Sequence, residues 1–316
     1  MKKYFPKLLQ AKTVGASAVR RVRMHRSLGR VHSVFKEVFN IVTENEELIS
    51  VVSQNVGPGP INIVVDLPSQ LTMFSLGVSQ GQLVFSEGDT LLISSNVEIS
   101  MKYASEYRPC RRFKASELNV IKRNLEIVKK VALREGNFTG VGELIKCLTS
   151  NFNIEPQPGL NEFASRALSP LSSLLASIKE ERYSDLCNLA MKLIGLGPGL
   201  TPSADDVLAG LMAAFLLVGE NLGIKSSRLQ LINEAITSCV NSSITTLLSM
   251  EFLCHASHGE VNEPILKLIG VILTSDSVNV IKATRKLLSI GETSGTDILL
   301  GLLLGTMLAI EFAEGT

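Results

Sequence analysis

A chain of 316 residues has room for two domains or one large one. With 45% apolar residues and a mean hydropathy of +0.26 it can bury a large core, so a disordered polymer is excluded. A formal net charge of +1 argues against nucleic-acid binding, which needs a positive excess.

The cysteines Cys110, Cys147, Cys187, Cys239 and Cys254 are scattered, include no C-x-x-C pair, and suggest neither a disulfide framework nor a metal knot. Lys7 and Lys12 interrupt any leader-like apolar run near the start, and the expected setting is cytoplasmic. The longest apolar run, residues 298–310, is shorter than the about 20 residues a bilayer span needs, and reads as a buried helix.

The first third reads as short strands. GRVHSVFKEVFNIVT at 29–43 is rich in β-branched and aromatic residues, and runs follow at 48–52, 61–65, 83–85 and 91–93. Turn signals separate them: GPGP at 57–60, Gly81, and EGD at 87–89. This spacing predicts an antiparallel sandwich or a small barrel, followed by a linker, YRPCRRFK, at 107–114. The period then becomes helical. Ser116 is placed to cap a helix to about Arg134, with Leu118, Ile121, Leu125, Val128 and Val131 on one face. Further helices fit 140–150, 161–180, 183–194, 203–219, 227–250, 262–274, 277–289 and 295–312. The expected fold is α+β, with a β-rich N-terminal domain over 1–112 and an all-helical domain over 113–316.

One turn in the helical half stands out. Gly195, Gly197 and Gly199 alternate along GLGPGLTPSADD, with Pro198 and Pro202 stiffening the path. Glycine permits positive φ and close approach of backbone to a ligand. Ser203 then opens a helix with Asp206 three residues on, in the manner of a capping box. The string recurs: SADDVLAGL from Ser203 aligns with SGTDILLGL from Ser294, pairing Ser203 with Ser294, Asp206 with Asp297 and Gly210 with Gly301. A mid-helix glycine costs about 1 kcal/mol relative to alanine, and close helix–helix contact would offset it. The two helices are therefore expected to pack at these glycines, with both N-termini turned toward one anion.

On this reading the backbone of Gly195, Gly197, Gly199, Leu200, Ser203, Ala204, Thr293 and Gly295, with the hydroxyls of Thr201, Ser203 and Ser294 and the carboxyl of Asp297, forms an anion-binding site. Asp206 is expected mainly as a capping partner and Asp205 as the freer catalytic group, the adjacent pair being the catalytic candidates. The sequence lacks the lysine of a P-loop and the sixth-position glycine of a dinucleotide fingerprint. Glu251, His255 and His258 share a helical face but are more readily a surface feature than a metal site. His32 reads as a packed histidine. Arg20, Arg21, Arg23, Arg108, Arg111 and Arg112 are available cations, each more readily solvated than functional. No metal or cofactor is evident.

GLGPGLTPSADDVLAG, with ITTLLSMEFLCHASHGEV and SIGETSGTDILLGLLLG after it, resembles the bacterial family that contains the oxamate carbamoyltransferase subunit of ureide catabolism. GRVHSVFKEVFNI and the GPGP turn are similar to that family's entry strands, and the resemblance runs over about residues 28–312. It implies an activity shared with two partner subunits, which exchanges a carbamoyl group between oxalurate and phosphate to give oxamate and carbamoyl phosphate. Its ligands would be small anions: phosphate, carbamoyl phosphate, oxamate or oxalurate. The chain departs from the family pattern at Ala204, where glycine is common, at Glu292, where histidine is common, and at Tyr107, where tryptophan is usual. Two other readings stay open: an ATP-dependent small-molecule kinase built on the glycine loop, and a non-catalytic subunit that senses an anion.

Overall fold

The computed structural model describes residues 7–24, 27–68, 70–94, 97–274 and 276–315. Two compact units divide the chain, Met1–Pro109 and Cys110–Thr316.

The first unit is a closed barrel of eight strands. Strands β1 (Lys7–Gly15), β2 (Ser27–Val34), β3 (Val38–Thr43), β4 (Leu48–Ser53), β5 (Asn62–Val65), β6 (Leu83–Glu87), β7 (Thr90–Ile93) and β8 (Val97–Ser100) pair in the order 5-4-3-2-6-7-8-1. Strand β1 closes the ring. Its first half pairs with β8 and, past an irregularity between Ala11 and Thr13, its second half pairs with β5 through Ala11↔Val65 and Val14↔Ile63. A short β9 (Ser105–Tyr107) lies beside the end of β1. Closure leaves no long free edge, the liability that open sheets must manage. Between the two alternatives of the sequence, the barrel is the one adopted.

The barrel is not antiparallel throughout: β1 runs parallel to β8 and β9, and β4 parallel to β5. The expected long strand at 29–43 is a hairpin, β2 and β3, folded back at residues 35–37. Strand β1 escaped the sequence reading because Lys7 and Lys12 were weighed only as breaks in a leader. Yet Leu9, Ala11 and Val14 are buried and Leu8, Gln10 and Lys12 exposed, the alternation of a half-buried strand. Helix α1 (Ala16–Met24) follows it, burying Ala18 and Val22 in the barrel's apolar cluster while Arg21 donates to the carbonyl of Leu48 and to Glu47.

The second unit holds α2 (Leu118–Glu135), α3 (Glu162–Lys179), α4 (Leu186–Ala190), α5 (Ser203–Asn221), α6 (Ser226–Thr237), α7 (Leu247–Ser257), α8 (Glu263–Thr274), α9 (Ser277–Leu288) and α10 (Ser294–Glu314), with 3-10 turns at Val141–Cys147 and Tyr183–Asp185. The architecture is thus mixed α+β, strands first and helices second. Helix α2 buries the anticipated Ile121, Leu125, Val128 and Val131, but Glu117 rather than Ser116 stands at its N-cap. The single helix expected over 227–250 is two, α6 and α7. Asn241 binds the N–H and hydroxyl of Ser243 locally, which competes with the helix, and Thr246 caps a new one by accepting from Ser249 N–H. The segment Arg111–Phe113, expected as linker, is fastened down: Asn221 donates to the Arg111 carbonyl and accepts from Phe113 N–H.

Helices α5 and α10 are the axis of this unit and are buried along almost their whole length. By length and composition α10 could cross a membrane, but 83% of that stretch is buried inside the protein, as in a core helix.

Candidate functional site

Helices α5 and α10 run parallel, in contact from their first turns. A methyl on Gly210 would strike the carbonyl oxygen of Ile298, and one on Gly301 would strike that of Val207 and stand 2.6 Å from Leu211 N. These approaches are reciprocal, since Val207 and Ile298 hold equivalent places in the repeated string. Gly305 meets the Leu211 carbonyl one turn further on, and Phe215 meets Phe312 edge-on at 5.2 Å. The repeated glycines are therefore contact points between backbones.

That contact brings the two Ser-x-x-Asp starts together, and the expected capping boxes do not form. The N-cap positions are Pro202 and Thr293, neither with a side-chain cap. The partners are exchanged instead. The Ser294 hydroxyl lies against the carboxyl of Asp206, and the Ser203 hydroxyl against that of Asp297. Thr201 Oγ1 donates to Asp206 Oδ2 at 3.0 Å and sits 3.3 Å from Ser294 Oγ. Each aspartate of the echo thus serves the other helix. Asp206 and Asp297 are buried, and burial pushes both up: Asp206 well above the ordinary carboxylate range, with the charges of Asp297 and Asp205 adding to it, and Asp297 to about 6.

Asp205 is not the freer group. It is fully buried, its Oδ1 accepts from Gly195 N–H at 2.8 Å, and its Oδ2 accepts from Ser249 Oγ at 2.6 Å and from Thr245 Oγ1. Burial raises its pKa against those three donors. Asp205 is a strut that ties the glycine turn to the start of α7, where Thr246 also donates to the Leu200 carbonyl.

The turn itself is held open by its glycines. Gly195, Gly197 and Gly199 have φ of 80°, 110° and 102°, and a Cβ on Gly197 would lie 2.6 Å from Ser203 Cβ. The Ala204 N–H bonds to the Leu196 carbonyl, and those of Asp205 and Asp206 to Pro202. Those of Gly199, Leu200 and Thr201 make no well-formed hydrogen bond among the described residues, and Gly199 and Leu200 face solvent. At α10 the matching positions behave alike: Gly295 N–H bonds to the Ile290 carbonyl and Thr296 and Asp297 N–H to that of Thr293, while the N–H groups of Gly291, Glu292 and Thr293 make no well-formed hydrogen bond among the described residues. Of the expected donors, then, the 199–201 face and Thr293 stay free, whereas Gly195, Ala204 and Gly295 are committed. Thr201, Thr293 and Ser294 are half-buried, and Glu292 is exposed beside them.

A third segment, GNFTGVG at 136–142, escaped the sequence reading. Val141 N–H donates to Ser203 Oγ and Gly142 N–H to Asp297 Oδ1, each at 2.6 Å. Asn137 N–H donates to Thr296 Oγ1 at 2.9 Å, and Asn137 Nδ2 to the Glu292 carbonyl at 3.0 Å. A Cβ on Gly140 would lie 2.5 Å from Ser203 Oγ and 2.9 Å from both Asp297 oxygens, so this loop must approach as bare backbone. Its three glycines in seven residues were the available signal. A helix had been expected from 140, but backbone donors committed to side chains on α5 and α10 leave a 3-10 turn.

Two family models match the chain: the AllH family N-terminal domain over residues 10–106, and the oxamate carbamoyltransferase subunit AllH over 193–306. The chain belongs to the AllH family. No solved structure matches it. The AllH match takes in the glycine turn, α5 and the first half of α10, while the 136–142 loop lies between the two matched segments.

The other candidates of this AllH chain lie elsewhere. His255 is held between Glu260, at 2.6 Å, and Glu251, at 3.5 Å. Burial opposes its charge, but the two carboxylates outweigh that and raise its pKa. His258 turns instead to the Cys254 carbonyl and the Ser257 hydroxyl, so the stripe does not converge, and the described residues hold no cluster suited to a metal. His32 contacts Ser33 Oγ. Arg21, Arg23 and Arg108 pair with Glu47, Asp89 and Glu106, and Arg111 with Glu220 near the far end of α5. A cavity of about 190 Å³ near the C-terminal half of α10, lined by Phe152, Lys179, Leu304, Met307 and Glu311 among others, is remote from the turn in sequence and in lining.

Proposed function

We propose that this chain is a subunit of a carbamoyltransferase and that its 199–201 turn, with the Thr201 and Ser294 hydroxyls, binds the anionic end of a substrate. The observation that supports this best is three unspent backbone donors beside two hydroxyls at a helix N-terminus, the arrangement that favours phosphate or carboxylate. The family name gives a subunit of oxamate carbamoyltransferase, and on that reading we take the reaction as the exchange between oxalurate and phosphate, giving oxamate and carbamoyl phosphate. Each of those species presents a carboxylate or a phosphate to such a turn. Two partner subunits complete the enzyme on this reading, and the cations that neutralise the substrates come from outside the turn.

A thermal-shift series on the chain, alone and with its partners, tests this against phosphate, carbamoyl phosphate, oxamate, oxalurate and ATP with Mg²⁺. A ligand at 100 times its Kd stabilises by about 2.7 kcal/mol, which for a unit this size is roughly 5–10 °C. Stabilisation by one of the carbamoyl-transfer ligands, lost in a Thr201→Ala/Ser294→Ala variant, is expected. Stabilisation by ATP alone would move the assignment to a kinase, and indifference to every ligand in both preparations would overturn the site.

A further inference from the structure

The exchanged Ser–Asp arrangement leaves the Asp206 carboxyl against the Thr201 and Ser294 hydroxyls and the Asp297 carboxyl buried close by. Resting on the transferase reading, we propose that Thr201, Ser294 and Asp206 form a proton relay in which the hydroxyls face the substrate and Asp206 holds the proton that passes between phosphate and the leaving amide nitrogen.

The reaction requires such a group. When phosphate attacks the carbamoyl carbon of oxalurate, a C–O bond forms and the C–N bond breaks, its electron pair going to nitrogen. Oxamate leaves as a neutral amide only if that nitrogen gains a proton. The hydrogenphosphate that attacks must lose one on becoming carbamoyl phosphate. Charge and hydrogen therefore balance with no outside acid, provided one group gives a proton and takes one back. In the relay one of the Thr201 and Ser294 hydroxyls donates to nitrogen and is refilled by Asp206, and Asp206 recovers the proton of the phosphate through the other. A hydroxyl suits the middle place because it donates and accepts by rotation, and either of these two can be the donor to the other at 3.3 Å.

Three observations single out Asp206. It alone of the three aspartates contacts the Thr201 and Ser294 hydroxyls, with Thr201 Oγ1 at 3.0 Å from its Oδ2. Asp205 has its oxygens filled by Gly195, Thr245 and Ser249. Asp297 is fully buried, its Oδ1 accepts from Gly142 N–H, the Ser203 and Thr293 hydroxyls lie against the carboxyl, and its Oδ2 makes no well-formed hydrogen bond among the described residues. A buried carboxylate oxygen without a partner is costly, and a proton held on the pair lowers that cost. The nearby Asp297 also favours the protonated form of Asp206, as burial does. Asp297 is then a positioning residue for the relay, and Asp206 reaches substrate only through the hydroxyls.

The test uses the chain reconstituted with its partner subunits, turning over oxalurate and phosphate. Asp206→Asn should lower kcat about 100-fold or more, the usual worth of proton transfer in the transition state, with KM for both substrates changed less than about threefold. The fall of kcat at high pH, where the relay has lost its proton, should disappear in that variant. Thr201→Val should lower kcat and Thr201→Ser should restore most of it, which keeps the proposal testable if Asp206→Asn fails to fold. An unchanged kcat in Asp206→Asn, a change in KM alone, or no rescue by serine would overturn the relay. The binding site is judged separately: if phosphate still stabilises Asp206→Asn while kcat is intact, only the relay falls, whereas a wild-type complex that no carbamoyl-transfer ligand stabilises removes the site beneath it.

Discussion

Helices α5 and α10 begin with the same pattern, Ser-x-x-Asp followed by a glycine one turn on, yet the two starts do different work. At α5 a turn of three positive-φ glycines carries the chain in and leaves the N–H groups of 199–201 facing outward. At α10 the chain enters from the end of α9 with one positive-φ glycine, Gly291, and the Ile290 and Thr293 carbonyls take the donors of 295–297 much as Leu196 and Pro202 take those of 204–206. Position 205 is an aspartate that anchors the turn to α7, while the equivalent Thr296 only receives Asn137 N–H. A repeat in sequence here encodes a packing relation, and the segments around it, rather than the repeat itself, set the two starts apart.

The packing half of that comparison is the easiest to break. Gly301→Ala would drive a methyl into the backbone of Val207 and Leu211, which cannot rotate aside as a side chain would. The helices must separate, at a cost of about 3 kcal/mol or more, and thermal denaturation should show Tm lower by roughly 10 °C, or no soluble protein. Ala209→Gly, also on α5 and buried, should cost only about 1 kcal/mol. Equal losses in the two variants would mean that close contact is not what the glycine provides.

The buried carboxyls give the next effect. Asp297 titrates near pH 6 in the folded chain, above its ordinary value of 3.8. Between those values the folded state holds more protons than the unfolded state, so this group's contribution to stability falls as pH rises from about 4 to 6 and then stays flat. The penalty is at most about 3 kcal/mol, at 1.36 kcal/mol for each pKa unit. Asp297→Asn should therefore narrow the difference in Tm between pH 4.5 and pH 7.5. A variant whose Tm keeps the wild-type dependence on pH would show that Asp297 is not strained by its burial.

Much of this was legible in the sequence, and the misses share a cause. Runs of β-branched and aromatic residues between turn signals marked most of the barrel strands, and the periodicity of α2, α5, α8, α9 and α10 placed those helices within a residue or two. The repeated glycines pointed to the α5–α10 contact because a helix-interior glycine is costly unless something approaches it. Ring closure through β1 was not legible, since a parallel partner 90 residues away leaves no local trace beyond alternation. That Asp205 is tied down was not legible because adjacent carboxylates look alike in a string, and only the arrival of Thr245 and Ser249 from a distant segment fills its oxygens. The 136–142 loop was missed for the same reason: its partners, Ser203, Thr296 and Asp297, lie 60 to 160 residues on, as the separations of 62, 159 and 155 record.

The smallest effect is the sharpest on the difference between the two starts. Ser203 and Ser294 are equivalent in the repeat, but the Ser203 hydroxyl is fully buried and accepts Val141 N–H, whereas Ser294 is half-buried beside Thr201. Ser203→Ala leaves a buried backbone donor unanswered and should cost about 2 kcal/mol. Ser294→Ala removes a hydroxyl that retains access to water and should cost under about 1 kcal/mol. Ligand response should run the other way: Ser294→Ala should weaken the stabilisation by carbamoyl phosphate or phosphate more than it lowers the Tm of the free protein. If instead the two alanine variants lose stability equally and respond to ligand equally, both serines are architecture, and the asymmetry drawn between α5 and α10 does not extend to binding.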